Sequence, residues 1–125
     1  MDPRHLQRIK TIQNLFALSF KSLKNNVPFP GDPKTKKILE LRKEIDEKIY
    51  RFAKKYPLEK IAKTELAILR LSVYELAIER KLPEKVVIDE AIELAKDLSG
   101  DKSYAFINAI LGKILDDEKK KHESI

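Results

Sequence analysis

The chain has 125 residues, no cysteine and a formal net charge of +6. That length accommodates one domain whose core needs neither cross-links nor metals. The missing thiols exclude disulfides, thiol catalysis and Cys-ligated zinc, and suit a reducing, cytoplasmic setting. With only 3 glycines and no strand-like alternation, an all-α fold is expected. The N-terminus has no apolar run of the signal-peptide kind, and no stretch is apolar for long enough to span a bilayer, so no membrane role is expected. The charge is uneven. Residues 1–62 hold 15 Lys and Arg against 7 Asp and Glu, a balance of +8, and residues 63–125 hold 11 against 13, a balance of −2. The first half is therefore the side expected to meet a polyanion, with plain solvation of helix faces as the alternative.

Asp2-Pro3 opens the first predicted helix, because Asp is a favoured N-cap and Pro suits the first helical position. This helix is expected to reach about residue 24, burying Ile9, Ile12, Phe16, Phe20 and Leu23. Arg4 and Arg8 lie one turn apart, with His5 beside them. Two adjacent guanidiniums repel unless an anion lies between them, and Arg pairs phosphate bidentately and stacks on bases. A solvated helix start is the competing reading. Residues 25–33, NNVPFPGDP, break the helix with three prolines and a glycine. Asp32-Pro33 restarts it, and one helix is expected from 34 to about 55, burying Ile38, Leu41, Ile45, Ile49 and Phe52 under a solvated lysine face. Pro57 ends that helix or begins a short one.

Residues 61–115 carry three more helical patterns, separated by a turn at 81–84 and by Gly100 in a C′ position. Their apolar stripes are Leu66, Leu69, Val73 and Leu76; then Ile88, Ala91, Ile92, Ala95 and Leu98; then Phe106, Ile107, Ile110, Leu111 and Ile114. Thr64 and Asp101 are the expected caps of the first and last. Arg70 lies among apolar neighbours. It is expected either to pair with Glu75 or Asp89, its stem packed, or to join a cationic surface. Tyr74 reads as a core-edge tyrosine, and Asp89, Glu90 and Glu93 as an acidic, solvating face. The last helix opens with Lys102, Ser103, Tyr104 and Phe106. Aromatics beside cations make a stacking platform for unpaired bases, while the core is the competing place for Phe106. The expected architecture is one helical domain over 1–118, with N-terminal helices over 3–55 packed on a C-terminal group over 57–118. An irregular tail is expected at 119–125.

The blocks AILRLSVYEL, LPEKVVIDEAIELAK and SYAFINAILGKI, in this order and spacing, resemble the C-terminal helices of the NusB family. RHLQRIKTIQNLF resembles that family's N-terminal motif, an arginine-rich run leading to a Gln-x-Leu-Tyr-like end. Arg4, Arg8, Gln13, Leu15 and Phe16 fall on motif positions. His5 and Leu6 stand where arginines are usual, Ile9 where Glu is frequent, and Lys102 where an acid is common. The resemblance implies an all-helical protein that binds boxA-type single-stranded RNA, nascent or ribosomal-precursor. It does so together with the ribosomal protein NusE, and engages the transcription elongation complex. The RNA-binding residues so implied are Arg4, His5, Arg8, Phe16, Arg70, Lys85, Lys102 and Phe106. The implied NusE side holds Glu65, Tyr74 and Glu75.

The residues themselves carry no catalytic constellation. There is no Gly-rich phosphate loop, and His5 and His122 stand at opposite ends without metal-ligand partners in spacing. No nucleophile has a base and an orienting group beside it. The expectation is thus an RNA-binding antitermination adaptor, not an enzyme, that needs no cofactor or metal. Two alternatives are a helical protein-interaction module with little RNA affinity of its own, and an accessory domain of an RNA-modifying system. A helix-turn-helix DNA reader is disfavoured, because no helix clusters base-reading side chains.

Overall fold

The computed structural model describes residues 2–20, 26–54, 60–100 and 103–123. Among these, the chain forms six α-helices, one π-helical segment and no strand. The helices are α1 (Pro3–Leu18), α2 (Pro33–Glu40), α3 (Arg42–Phe52), α4 (Lys63–Val73), α5 (Glu84–Leu98) and α6 (Ser103–Glu123), with the π-helix at Tyr74–Glu79 between α4 and α5.

Local chemistry sets the helix starts. Asp2 caps α1, its Oδ1 accepting the Arg4 N–H at 2.8 Å. Asp32 caps α2, its Oδ2 accepting the Thr35 N–H at 3.2 Å and the Thr35 hydroxyl at 2.6 Å. α4 starts at Lys63 with Ala62 in the capping position and no side-chain cap, so Thr64 lies within its first turn rather than at its cap. Asp101 and Pro57 lie outside the described residues.

Helix limits differ from the sequence expectation in the N-terminal half. α1 stops at Leu18, where the N–H groups of Ser19 and Phe20 turn back onto the Phe16 and Ala17 carbonyls at 3.1 and 3.2 Å, a tightened last turn. Leu23 lies outside the described residues. The helix expected over 34–55 is two helices joined at Leu41 (φ −106°). The Leu41 N–H bonds to both the Lys37 and Ile38 carbonyls at 3.2 Å, and its own carbonyl accepts from Ile45 at 3.0 Å. The ladder therefore bends without losing its apolar face: Ile38, Ile45 and Ile49 are all fully buried.

α4 is the central helix. Every residue from 66 to 73 is buried, and α4 packs on α1, α3, α5 and α6. A helix that is apolar nearly all round belongs inside a bundle. Its chain continues into the π-helix, where the Arg80 N–H reaches the Glu75 carbonyl, five residues back, at 3.0 Å. Arg80 ends the segment in the left-handed region at φ +54°, an uncommon place for a side chain with a Cβ. α5 packs along α6, burying Val87, Ala91, Leu94 and Ala95. Its face is turned from the expected one toward Val87 and Leu94, leaving Leu98 exposed. Gly100 follows α5 at φ +93°, as a C′ glycine does. α6 runs on to Glu123, so residues 119–123, expected to be irregular, are helical. No helix among the described residues is long and apolar enough to cross a membrane.

Candidate functional site

α1 brings a charged residue into the core, and the π-helix answers it. Arg8 is buried, and its Nε and a terminal nitrogen donate to the two Glu75 carboxylate oxygens at 2.9 and 3.1 Å. Lys34 donates to the same carboxylate at 2.7 Å and lies 3.4 Å from Glu79. Burial works against the Arg8 charge, but Glu75 and Glu90 outweigh it and raise the guanidinium pKa. Arg70 is also buried, with a bidentate pair to Asp46 at 2.9 and 3.0 Å. Its partner is thus neither Glu75 nor Asp89. Tyr74 is buried among the core side chains, and that burial pushes its hydroxyl pKa up. Arg8, Arg70, Tyr74 and Glu75, four of the anticipated contact residues, therefore work inside the fold.

His5 faces α5. Its Nδ1 meets Glu90 and its Nε2 lies 3.2 Å from Asp97. The hydrogen bond to Glu90 is the main reason its pKa is raised above 6.5, opposed by burial and helped by Asp97. With a carboxylate at each ring nitrogen, the imidazolium form is favoured.

An exposed edge remains beside this framework. Phe16, 38% exposed, meets Phe20 edge to face, with ring centroids 5.1 Å apart. Lys63, at the start of α4, sits over the Phe20 ring at 5.3 Å. Two residues on, Glu65, half-buried, accepts the Ser103 hydroxyl at 2.5 Å. The first turn of α4 thus ties the end of α1 to the start of α6. There Tyr104 is exposed with the Lys96 ammonium 5.1 Å over its ring, and Phe106 is half-buried against the core. Lys96 adjoins Asp97, so His5 and Tyr104 border the same stretch of α5. A pocket of about 290 Å³ opens nearby, with Ser19, Arg42, Lys63 and the Arg70–Asp46 pair in its walls. Arg4 is exposed at the first turn of α1. Lys85 is exposed at the far end of α5 from Lys96, about 16 Å along the helix. Lys102 lies outside the described residues.

The sequence pattern does not reveal the Phe20–Lys63 and Tyr104–Lys96 pairs. Their partners come from different segments of the chain, and only Tyr104 carries a signal, as an aromatic in the first turn of α6. Rings beside ammonium groups offer bases a face and phosphates a charge. Among the described residues no group of three or more His, Asp or Glu side chains could hold a metal ion.

Comparison with known proteins gives concordant matches. The family model described as NusB family matches residues 34–116. Over 80 residues the chain is 51% identical to the transcription antitermination protein NusB of Clostridium botulinum (strain Kyoto / Type A2), a match covering 64% of this chain and 56% of that protein. The protein of the same name from Acetivibrio thermocellus is 46% identical over 80 residues, covering 64% of this chain and 55% of its own length. The chain thus spans about half the length of the curated relatives it matches. The solved structure of T. maritima NusB (P3121, form 2) superposes with a TM-score of 0.77 at 32% identity, over 98% of both chains.

Proposed function

The chain belongs to the NusB family, and on that premise we propose that it is an RNA-binding transcription antitermination factor of the cytoplasm. It binds boxA-type single-stranded RNA together with NusE, joins the transcription elongation complex, and supports transcription and processing of ribosomal RNA. The observation that carries this reading is the likeness to T. maritima NusB over 98% of both chains, alongside relatives named for antitermination.

The exposed edge supports it physically. Phe16, Tyr104 and the outer part of Phe106 offer base-stacking surface, while Lys63, Lys96 and Arg4 offer charge. Lys102, outside the described residues, is proposed as an RNA contact on the family resemblance alone. Arg8 and Arg70 serve as framework, holding α1 and α3 against α4 and the π-helix. On the anticipated NusE side, Glu65 is the carboxylate within a partner's reach, whereas Tyr74 and Glu75 act from beneath.

Titrating fluorescently labelled boxA-type RNA with and without NusE tests the reading. NusE is expected to tighten RNA binding, and RNA must then tighten NusE binding by the same factor. Equal RNA affinity in both titrations would favour a second reading, a protein-interaction module with little RNA affinity. The burial of Arg8 and Arg70 in ion pairs is the observation on that side.

A further inference from the structure

α1 has a second flank, which shares Arg4 with the edge described above. Phe16 and Lys10 are six residues apart, which places them about 120° apart around the helix. On the Lys10 side two pockets meet at Gln7. One, of about 290 Å³, has Arg4, Lys34, Glu79 and Lys81 in its walls. The other, of about 380 Å³, is walled by Lys10, Phe29 and Asp32. Together they form a groove from the start of α1 to the proline loop that precedes α2.

The charges in this groove do not cancel. Glu75 and Glu79 are engaged by Arg8 and Lys34. Asp32 accepts from Gln7 at 2.6 Å, from Thr11 at 2.6 Å and from Thr35, and these bonds hold its pKa low against the effect of burial, so it stays ionised and offsets one of the groove's cations. Asp2 caps the helix end. Among the described residues, no carboxylate lies within ion-pair distance of Arg4, Lys10 or Lys81. The aromatic wall is held in place. Buried Asn14 accepts the Phe29 N–H at 2.9 Å and donates to its carbonyl at 2.8 Å. The Lys10 ammonium lies 5.6 Å from the Phe29 ring centroid. Gln7, bonded to Asp32, fixes the wall shared by the two pockets.

Resting on the RNA reading, we infer that this groove is a second single-stranded RNA subsite, with backbone phosphates on Arg4, Lys81 and Lys10 and one base against Phe29. The cations supply the non-specific attraction that any RNA strand feels. The ring supplies a stacking face of the kind every base can use. The strand would then pass across α1 from one flank to the other, and the protein would contact more nucleotides than its Phe16 edge alone can.

The test is a salt series with a labelled boxA-type RNA on wild type, Lys10→Gln/Lys81→Gln and Phe29→Leu, with thermal melts confirming that each is folded. Both lysines are exposed, so their replacement spares the core. The double lysine variant is expected to lose about 1.4 from the slope of log K against log salt, roughly 0.7 for each phosphate contact on a single strand. Phe29→Leu is expected to weaken binding about five- to 150-fold with the slope unchanged. A wild-type slope in the double variant overturns the groove while leaving RNA binding intact. No RNA binding by wild type overturns both the groove and the reading beneath it. Polyglutamate binding that disappears in the double variant, with RNA binding unaffected, assigns the groove to an acidic protein instead.

Discussion

At the scale of single residues, the buried Arg8–Glu75 pair and the His5 contacts decide most. Removing one member of a buried ion pair leaves the other charge desolvated and unpaired, which costs about 3–5 kcal/mol. Glu75→Gln is therefore expected to lower the unfolding free energy by up to about that much, measured by urea titration, since it leaves Arg8 with only Glu90 at 3.8 Å and Lys34 with only Glu79 at 3.4 Å. A loss below about 0.5 kcal/mol, as for ordinary surface changes, would show that the carboxylate is dispensable. His5 gives a pH dependence with a definite sign. Its folded pKa is raised above 6.5, so folding binds its proton more tightly. The stabilisation is complete below the unfolded value and is lost as pH rises through the folded one. The difference in melting temperature between wild type and His5→Gln should shrink as pH is raised from about 6 through the range above 6.5. A difference constant across that range would mean that Glu90 and Asp97 do not hold the proton.

At the scale of elements, the capping residue of α2 lends itself to a simple test. Asp32 accepts the Thr35 N–H and also bonds Gln7 and Thr11 of α1. Loss of a cap alone costs about 0.5–2 kcal/mol. Asp32→Ala is expected at or above the top of that range, read as a fall in denaturation midpoint, because it also removes the shared acceptor of the Gln7 amide and the Thr11 and Thr35 hydroxyls. The elements differ in how plainly the amino-acid sequence announces them. Asp2 and Asp32 are legible as caps because capping is settled within three residues. The stripes of α4 and α6 are legible because periodicity reports a buried face directly. The bend at Leu41 leaves no trace, since leucine is a strong helix former and nothing near it breaks a helix. The π-helix is equally silent, because YELAIE reads as ordinary α-helix. Arg70, set among apolar neighbours, plainly needs a carboxylate. Asp46, however, lies 24 residues away on another helix, and only packing selects it over Glu75.

At the scale of the whole molecule, stability rests on α4. Leu69 is fully buried in the helix that touches four others, and Leu69→Ala should cost about 2–5 kcal/mol in a denaturant titration. A change under about 0.5 kcal/mol would place it on a surface. The Arg8–Glu75 pair has a further consequence during synthesis. The carboxylate that receives Arg8 lies 67 residues further along the chain. At 5–20 residues per second, a ribosome delivers it about 3–13 s after the arginine. For that interval the guanidinium has no internal partner. It is then a free cation on a nascent segment, open to whatever polyanion is close by, and the fold withdraws it only once the π-helix has been made.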